Sequence, residues 1–131
     1  VEWVVPGTLA VGDEQAGRPD LWGDGTYDSA LYVIDAVTAY VKTPPTGAAI
    51  LIDINYVDPT TGVSTSIFST KLTIAAGAQR QTSPTDIFAG GGTIPYLSDL
   101  TMDVDQVGST VAGADLSVKL HLKIATLALV L

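Results

Sequence analysis

The sequence predicts an all-β protein, an antiparallel β-sandwich of jelly-roll type with about seven to eight strands. Three observations lead there. From Leu100 to Lys123, LTMDVDQVGSTVAGADLSVKLHLK, two runs of strict apolar/polar alternation flank a turn of Gly, Ser, Thr and Asp. Leu100, Met102 and Val104 share one face of the first run and Leu116, Val118, Leu120 and Leu122 one face of the second. Asp103, Asp105, Lys119, His121 and Lys123 take the opposite faces, so each strand has a dry side and a wet side. The chain is also rich in Thr, Val, Ile, Gly and Asp. No window of about a dozen residues keeps apolar positions at helical spacing without a Gly, a Pro or a β-branched cluster intervening. Finally, the breaks between apolar runs carry turn chemistry at short intervals.

Taken in order, the strands are expected at Trp3–Val11, Ala30–Val41, Ala49–Val57, Thr65–Thr70, Leu72–Ile74, Leu97–Val107 and Leu116–Val130. Between the first two, GDEQAGRPDLWGDGTYD holds four Gly and a Pro, which marks a long loop. KTPPTG at Lys42–Gly47 is a rigid connection, because Pro44 fixes its own φ and drives Thr43 into an extended geometry. ILIDINYV–DPTTG–VSTSIF reads as a hairpin. Ile50, Ile52, Ile54 and Tyr56 alternate with Leu51, Asp53, Asn55 and Val57, and the turn at Asp58–Gly62 has Pro where its φ is preset. Ala75–Thr93, with Gly77, Pro84 and Gly90–Gly92, is expected to be a second long surface loop. The alternating segment Leu100–Lys123 is expected to be another hairpin, and IATLALVL at Ile124–Leu131 a final strand buried on both faces.

At 131 residues the chain suits one domain spanning 1–131, with no internal repeat or linker, and burial of about two-thirds of its unfolded surface. Cysteine is absent, which rules out disulfides and thiolate metal sites. The net charge is −8, and the six Lys and Arg (Arg18, Lys42, Lys71, Arg80, Lys119, Lys123) stand singly along the chain. That distribution argues against nucleic acid and against an anionic membrane surface. The apolar C-terminal run is eight residues long, too short to span a bilayer, which takes about 20.

PGTLAVG near the start, TPPTGAAILIDIN in the middle, LTIAAGA after the hairpin and LTMDVDQVGSTVAGADLSVKL near the end together cover most of the chain. They resemble a β-sandwich domain of tailed-bacteriophage structural proteins, found in tail, baseplate and fibre-associated proteins. The resemblance implies a non-enzymatic virion component on the particle exterior, often trimeric, and carries over no catalytic residue. The chain has no triple-helical stem, heptads or repeat, so the expectation is a capsid decoration or cement protein, or a small tail-associated module. Its partners would be its own copies and a major capsid protein or tail component.

His121 is the only histidine, and without a nucleophile motif it reads as a solvated strand residue rather than part of a triad. Asp20, Asp24 and Asp28 recur every fourth residue in the Gly-rich loop and could offer oxygen ligands to calcium, though no EF-hand pattern or closing Glu accompanies them. Asp53 with Asn55, and Asp103 with Asp105, pair polar groups on strand faces, as a glycosidase would need; a half-buried strand produces the same spacing. Trp22 and Tyr27 beside Asp24 could stack and bond a host-surface glycan, which makes a carbohydrate-binding receptor module the alternative function. In Ala30–Val41 both faces read as apolar, with Tyr32, Ile34 and Tyr40 opposite Leu31, Val33, Val37 and Val41, and the last strand adds Leu127, Leu129 and Leu131. A sandwich strand has one inner face, so Tyr32, Ile34, Tyr40, Leu127, Leu129 and Leu131 are expected at a subunit interface, that of a trimer.

Overall fold

A computed structural model describes residues 1–13, 17, 31–82, 93–95 and 98–125, with backbone alone at 31, 82, 124 and 125. Nine strands are present among these residues: β1 (Glu2–Thr8), β2 (Leu31–Thr43), β3 (Ile50–Val57), β4 (Ser64–Ser66), β5 (Leu72–Ile74), β6 (Arg80–Thr82), β7 (Thr93–Pro95), β8 (Asp99–Gln106) and β9 (Ala114–Ala125). They form two antiparallel sheets. In the first, β1, β9 and β2 run side by side, and β6 and β7 both pair with the far edge of β2. In the second, β3 is central, with β8 on one edge and β4 and β5 on the other. The inner faces share one core, so the molecule is a β-sandwich.

The alternating positions read from the sequence do face this core. Ile50, Ile52 and Ile54 of β3, Leu100, Met102 and Val104 of β8, and Leu116, Val118 and Leu120 of β9 are buried, together with Trp3 of β1. Leu122 packs against the cluster from its margin. The indole Nε1 of Trp3 is buried with no hydrogen-bond partner among the described residues, an arrangement that costs about 1–3 kcal/mol and is outweighed by the apolar ring it brings inside.

The strand pairing differs from expectation. Leu100–Lys123 is not a hairpin: β8 pairs with β3 in one sheet, and β9 pairs with β1 and β2 in the other. The seven residues from Val107 to Gly113 carry the chain across the sandwich, so the apolar faces of β8 and β9 meet through the core instead of lying side by side. Two glycines make the crossing possible. A Cβ on Gly108 would lie 1.9 Å from the Val111 carbonyl oxygen, and Gly113 has φ +102 with Ile50 Cδ1 2.9 Å from where its Cβ would be. TPPTG docks on this crossing, for Thr46 N donates to Val111 O at 3.0 Å and Thr110 N donates to Thr46 O at 3.0 Å.

Two further corrections come from irregular pairing. The segment expected as a loop from Ala75 to Thr93 contributes β6 and the start of β7, short strands whose three residues each carry too little alternation to be read. In β2, the register slips between Ile34 and Ala36. A bulge there adds Asp35 and returns Ile34 to the same side as Val37, Ala39 and Val41, all of them buried. The two apolar faces expected for this strand are therefore largely one face, read out of phase. Ile34 is 5% exposed and belongs to the chain's own core, which corrects its assignment to a subunit interface.

The hairpin over ILIDINYV–DPTTG–VSTSIF is present, with Asn55, Tyr56 and Val57 opposite Ser66, Thr65 and Ser64. Its second strand is shorter than expected, since Ile67 and Phe68 turn into the core. Ile52→Ala should lower unfolding free energy by about 2–5 kcal/mol, as a fully buried isoleucine leaves a cavity between the sheets. Gly108→Ala should lose about 1–3 kcal/mol, because the backbone must open to admit one methyl group. Chemical denaturation of both variants checks these values, and a Gly108→Ala variant as stable as the parent would contradict the crossing geometry.

Candidate functional site

The polar groups that come together most closely lie on the outer face of the β3–β8 sheet. Their placement begins at the hairpin turn. The Asp58 carboxylate accepts hydrogen bonds from Thr60 N at 2.7 Å and Thr61 N at 3.0 Å, and Gly62, at φ +72, closes the turn by donating to Asp58 O at 2.9 Å. The backbone N–H groups, Thr61 first, hold the Asp58 carboxyl below its usual range. This turn sets the register that brings Ser66 beside β3, where its hydroxyl donates to Asp53 Oδ1.

Across the sheet, Asp53 stands directly opposite Asp103. Asn55 Nδ2 donates to Asp103 Oδ2 at 2.9 Å, and Lys71, just before β5, makes an ion pair with Asp105 at 2.7 Å. A third aspartate comes from outside the sheet. Gly12 and Val104 form a two-way backbone bridge, with N–O distances of 3.0 and 2.9 Å, and the next residue, Asp13, is thereby set against β8. One carboxylate oxygen each from Asp13, Asp103 and Asp105 lie within 4.8 Å of one another. Asp13, Asn55, Thr101 and Asp103 also line a shallow concavity of about 300 Å³.

Electrostatics here are divided. Partial burial raises the Asp53 pKa, and the nearby Asp105 charge adds to the rise, against the opposing hydrogen bond from Ser66 and the charge of Lys71. Lys71 is itself held further toward its charged form, chiefly by its hydrogen bond to Asp105. An all-oxygen donor set of this kind matches the chemistry of calcium or magnesium rather than zinc. The Lys71 ammonium already supplies part of the countercharge. For acid–base chemistry the pair Asp53 and Asp103 offers one carboxyl shifted toward the protonated form, and both are held by neighbouring side chains.

The residues singled out from sequence fall in different places. Asp20, Trp22, Asp24, Tyr27 and Asp28, and at the other end Leu127, Leu129 and Leu131, lie outside the described residues. Tyr32 packs against the margin of the core, and Tyr40 is 37% exposed on the outer face of the β2–β9 sheet. His121 is exposed on that same face, next to the Thr38 hydroxyl at 3.4 Å. Asp53, Asn55, Asp103 and Asp105, read as two separate pairs, form one cluster because β3 and β8 are neighbours. Asp13 and Lys71 were missed. Nothing periodic marks either, and only the Gly12–Val104 bridge and the short β5 bring them in. Comparison with protein-family models, with curated proteins and with solved structures found no match to this chain.

The raised Asp53 pKa sets a pH signature. Above pH 3.8, its ordinary value, the folded state still holds a proton that the unfolded chain has released. Stability contributed by this group therefore falls as pH rises through that window, and at neutral pH its ionised form is a burden. Asp53→Asn keeps an acceptor for Ser66 and should raise the melting temperature at pH 7, with the gain shrinking toward pH 3.8. Melting curves across that range check it, and a gain independent of pH would show that charge is not the cause.

Proposed function

We propose that this chain is a non-enzymatic structural protein of a tailed-phage particle exterior, acting as a capsid decoration or small tail-associated module that joins its own copies and a larger lattice. The observation that supports self-association is the edge strand β1. Among the described residues β1 pairs with β9 alone, and it presents Val4 at 56% exposure, with Val1, just before the strand, at 41%. An open strand edge carrying exposed valines is a ready template for another chain. Pro6 and the register shift between Val5 and Thr8 confine that template to the first residues of the strand, which favours one defined contact over open-ended pairing.

The interface in this proposal comprises Val1 and Val4, together with Tyr32 at its margin and the C-terminal Leu127, Leu129 and Leu131; Ile34, buried in the core, and Tyr40, whose ring is covered by Arg80, are excluded. The acidic balance of the chain, −8 overall, would keep neighbouring particles apart. Native mass spectrometry should find a trimer at micromolar concentration, converted to monomer by Val4→Lys. A monomeric parent protein would refute the self-association. Cryo-electron microscopy of virions should then show the sandwich in many copies on the capsid lattice, or in a few at the tail.

A further inference from the structure

The outer face of the β1–β9–β2 sheet gathers cations that are far apart in sequence. Lys119 and His121 of β9 lie on it next to Thr38 and Tyr40 of β2, in the register Lys119 opposite Thr38 and Ser117 opposite Tyr40. Arg80 of β6 is opposite Tyr40 on the other side, with its guanidinium carbon 5.0 Å from the ring centroid. These six side chains border a groove of about 440 Å³, a volume in the range of small-ligand sites. No Asp or Glu among the described residues lines it. In a chain of net charge −8, this is a local reversal of sign.

We infer that this groove binds an acidic saccharide, a short sugar chain carrying carboxylate or sulfate groups. Charge complementarity selects the anion. Arg80 stacks over the Tyr40 ring at the border of the groove, and its planar guanidinium can make two parallel hydrogen bonds to an oxyanion. Lys119 supplies a second positive charge across the groove. The neutral part of the lining selects the sugar: the hydroxyls of Thr38, Tyr40 and Ser117 and the imidazole of His121 alternate with the cations and can meet ring hydroxyls.

The surroundings limit how densely charged the ligand can be. Glu2 lies opposite Lys119, and Ser117 Oγ donates to it at 3.2 Å. Lys123, beyond one end of the groove, is paired with Asp35 at 2.9 Å. Lys42, beyond the other end, has Asp115 of the adjacent strand nearby in register. Two cations, Arg80 and Lys119, with carboxylates near them suit a ligand with widely spaced anionic groups and oppose a backbone with a phosphate at every residue. This site is separate from the acidic cluster on the opposite sheet and does not depend on the particle reading.

The test is isothermal titration of the full chain with tetragalacturonate and with a chondroitin sulfate tetrasaccharide, against maltotetraose as the neutral control. At least one acidic sugar should bind at one site per chain, more weakly as ionic strength rises. Arg80→Ala and Lys119→Ala should each weaken binding about tenfold, the loss of one charge-assisted hydrogen bond. Both side chains are exposed, so melting temperatures should stay unchanged, and Lys71→Ala on the other sheet should bind as the parent does. Absence of binding to both acidic sugars would overturn the inference, as would equal binding of maltotetraose or insensitivity to both variants. Tighter binding of a ten-residue oligothymidylate would assign the groove to nucleic acid instead. Self-association that is lost in Lys119→Ala would assign it to a second copy of the chain.

Discussion

The crossing from Val107 to Gly113 is the constraint on which the rest of the sandwich depends. It takes the chain out of one sheet at Gln106 and into the other at Ala114, within a span too short to wander. Gly108 is packed so closely against Val111 and Thr46 that no side chain fits, and Gln106 Nε2 adds a hydrogen bond to Ala49 O at 2.9 Å. Because β8 and β9 leave this crossing into different sheets, Met102 and Val118 approach from opposite sides of one core. A tight hairpin at the same place would have put both strands in one sheet and left β1 and β2 without the strand that joins them.

That separation also decides the chemistry of the two outer faces. β8 carries Asp103 and Asp105 to the sheet where Asp53 and Asn55 already point outward, so acids from distant segments gather there, and Asp53 is pushed toward its protonated form chiefly by partial burial, with the Asp105 charge adding to it. β9 carries Lys119, His121 and Lys123 to the sheet that holds Tyr40, and β6 adds Arg80. Each sheet thus collects like groups, and the relief is local: Lys71 pairs with Asp105 on one side, and Asp35 with Lys123 on the other. These exposed pairs add little to stability, about 0–1 kcal/mol each. Their effect is on where charge stands: carboxylates cluster on one sheet, while the groove of the other is lined by Arg80 and Lys119.

Irregular pairing shapes the strands that meet solvent. The bulge at Asp35 turns an apparently two-faced apolar strand into one with a single buried side, and it brings Asp35 within reach of Lys123. At the sheet edge, the shift around Pro6 and Gly7 shortens the stretch of β1 that can accept a partner, while Gly7 N is satisfied by Asp115 Oδ1 at 2.7 Å. Asp115 adopts φ +58 there, a conformation that aspartate tolerates better than most residues. Val5, next to this shift, packs against the core, whereas Val4 before it is exposed.

The sequence by itself determined the fold class, the inward positions of β3, β8 and β9, and the turn at Asp58–Gly62, because period-two alternation and turn chemistry are local properties of a strand. It could not determine which strands are neighbours. Alternation says which side of Leu100–Gln106 or of Leu116–Leu122 is dry, but a strand facing another across a core and a strand bonded beside it show the same pattern. Only the tertiary structure placed β8 and β9 in different sheets, restored Ile34 to the core through a bulge that alternation cannot register, and recruited Asp13 through its bridge to β8. The two charged faces belong to the same category. Lys42, Arg80 and Lys119 are isolated cations along the chain, and they share a surface because hydrogen bonds between β2, β6 and β9 bring together segments that sequence keeps about 40 residues apart.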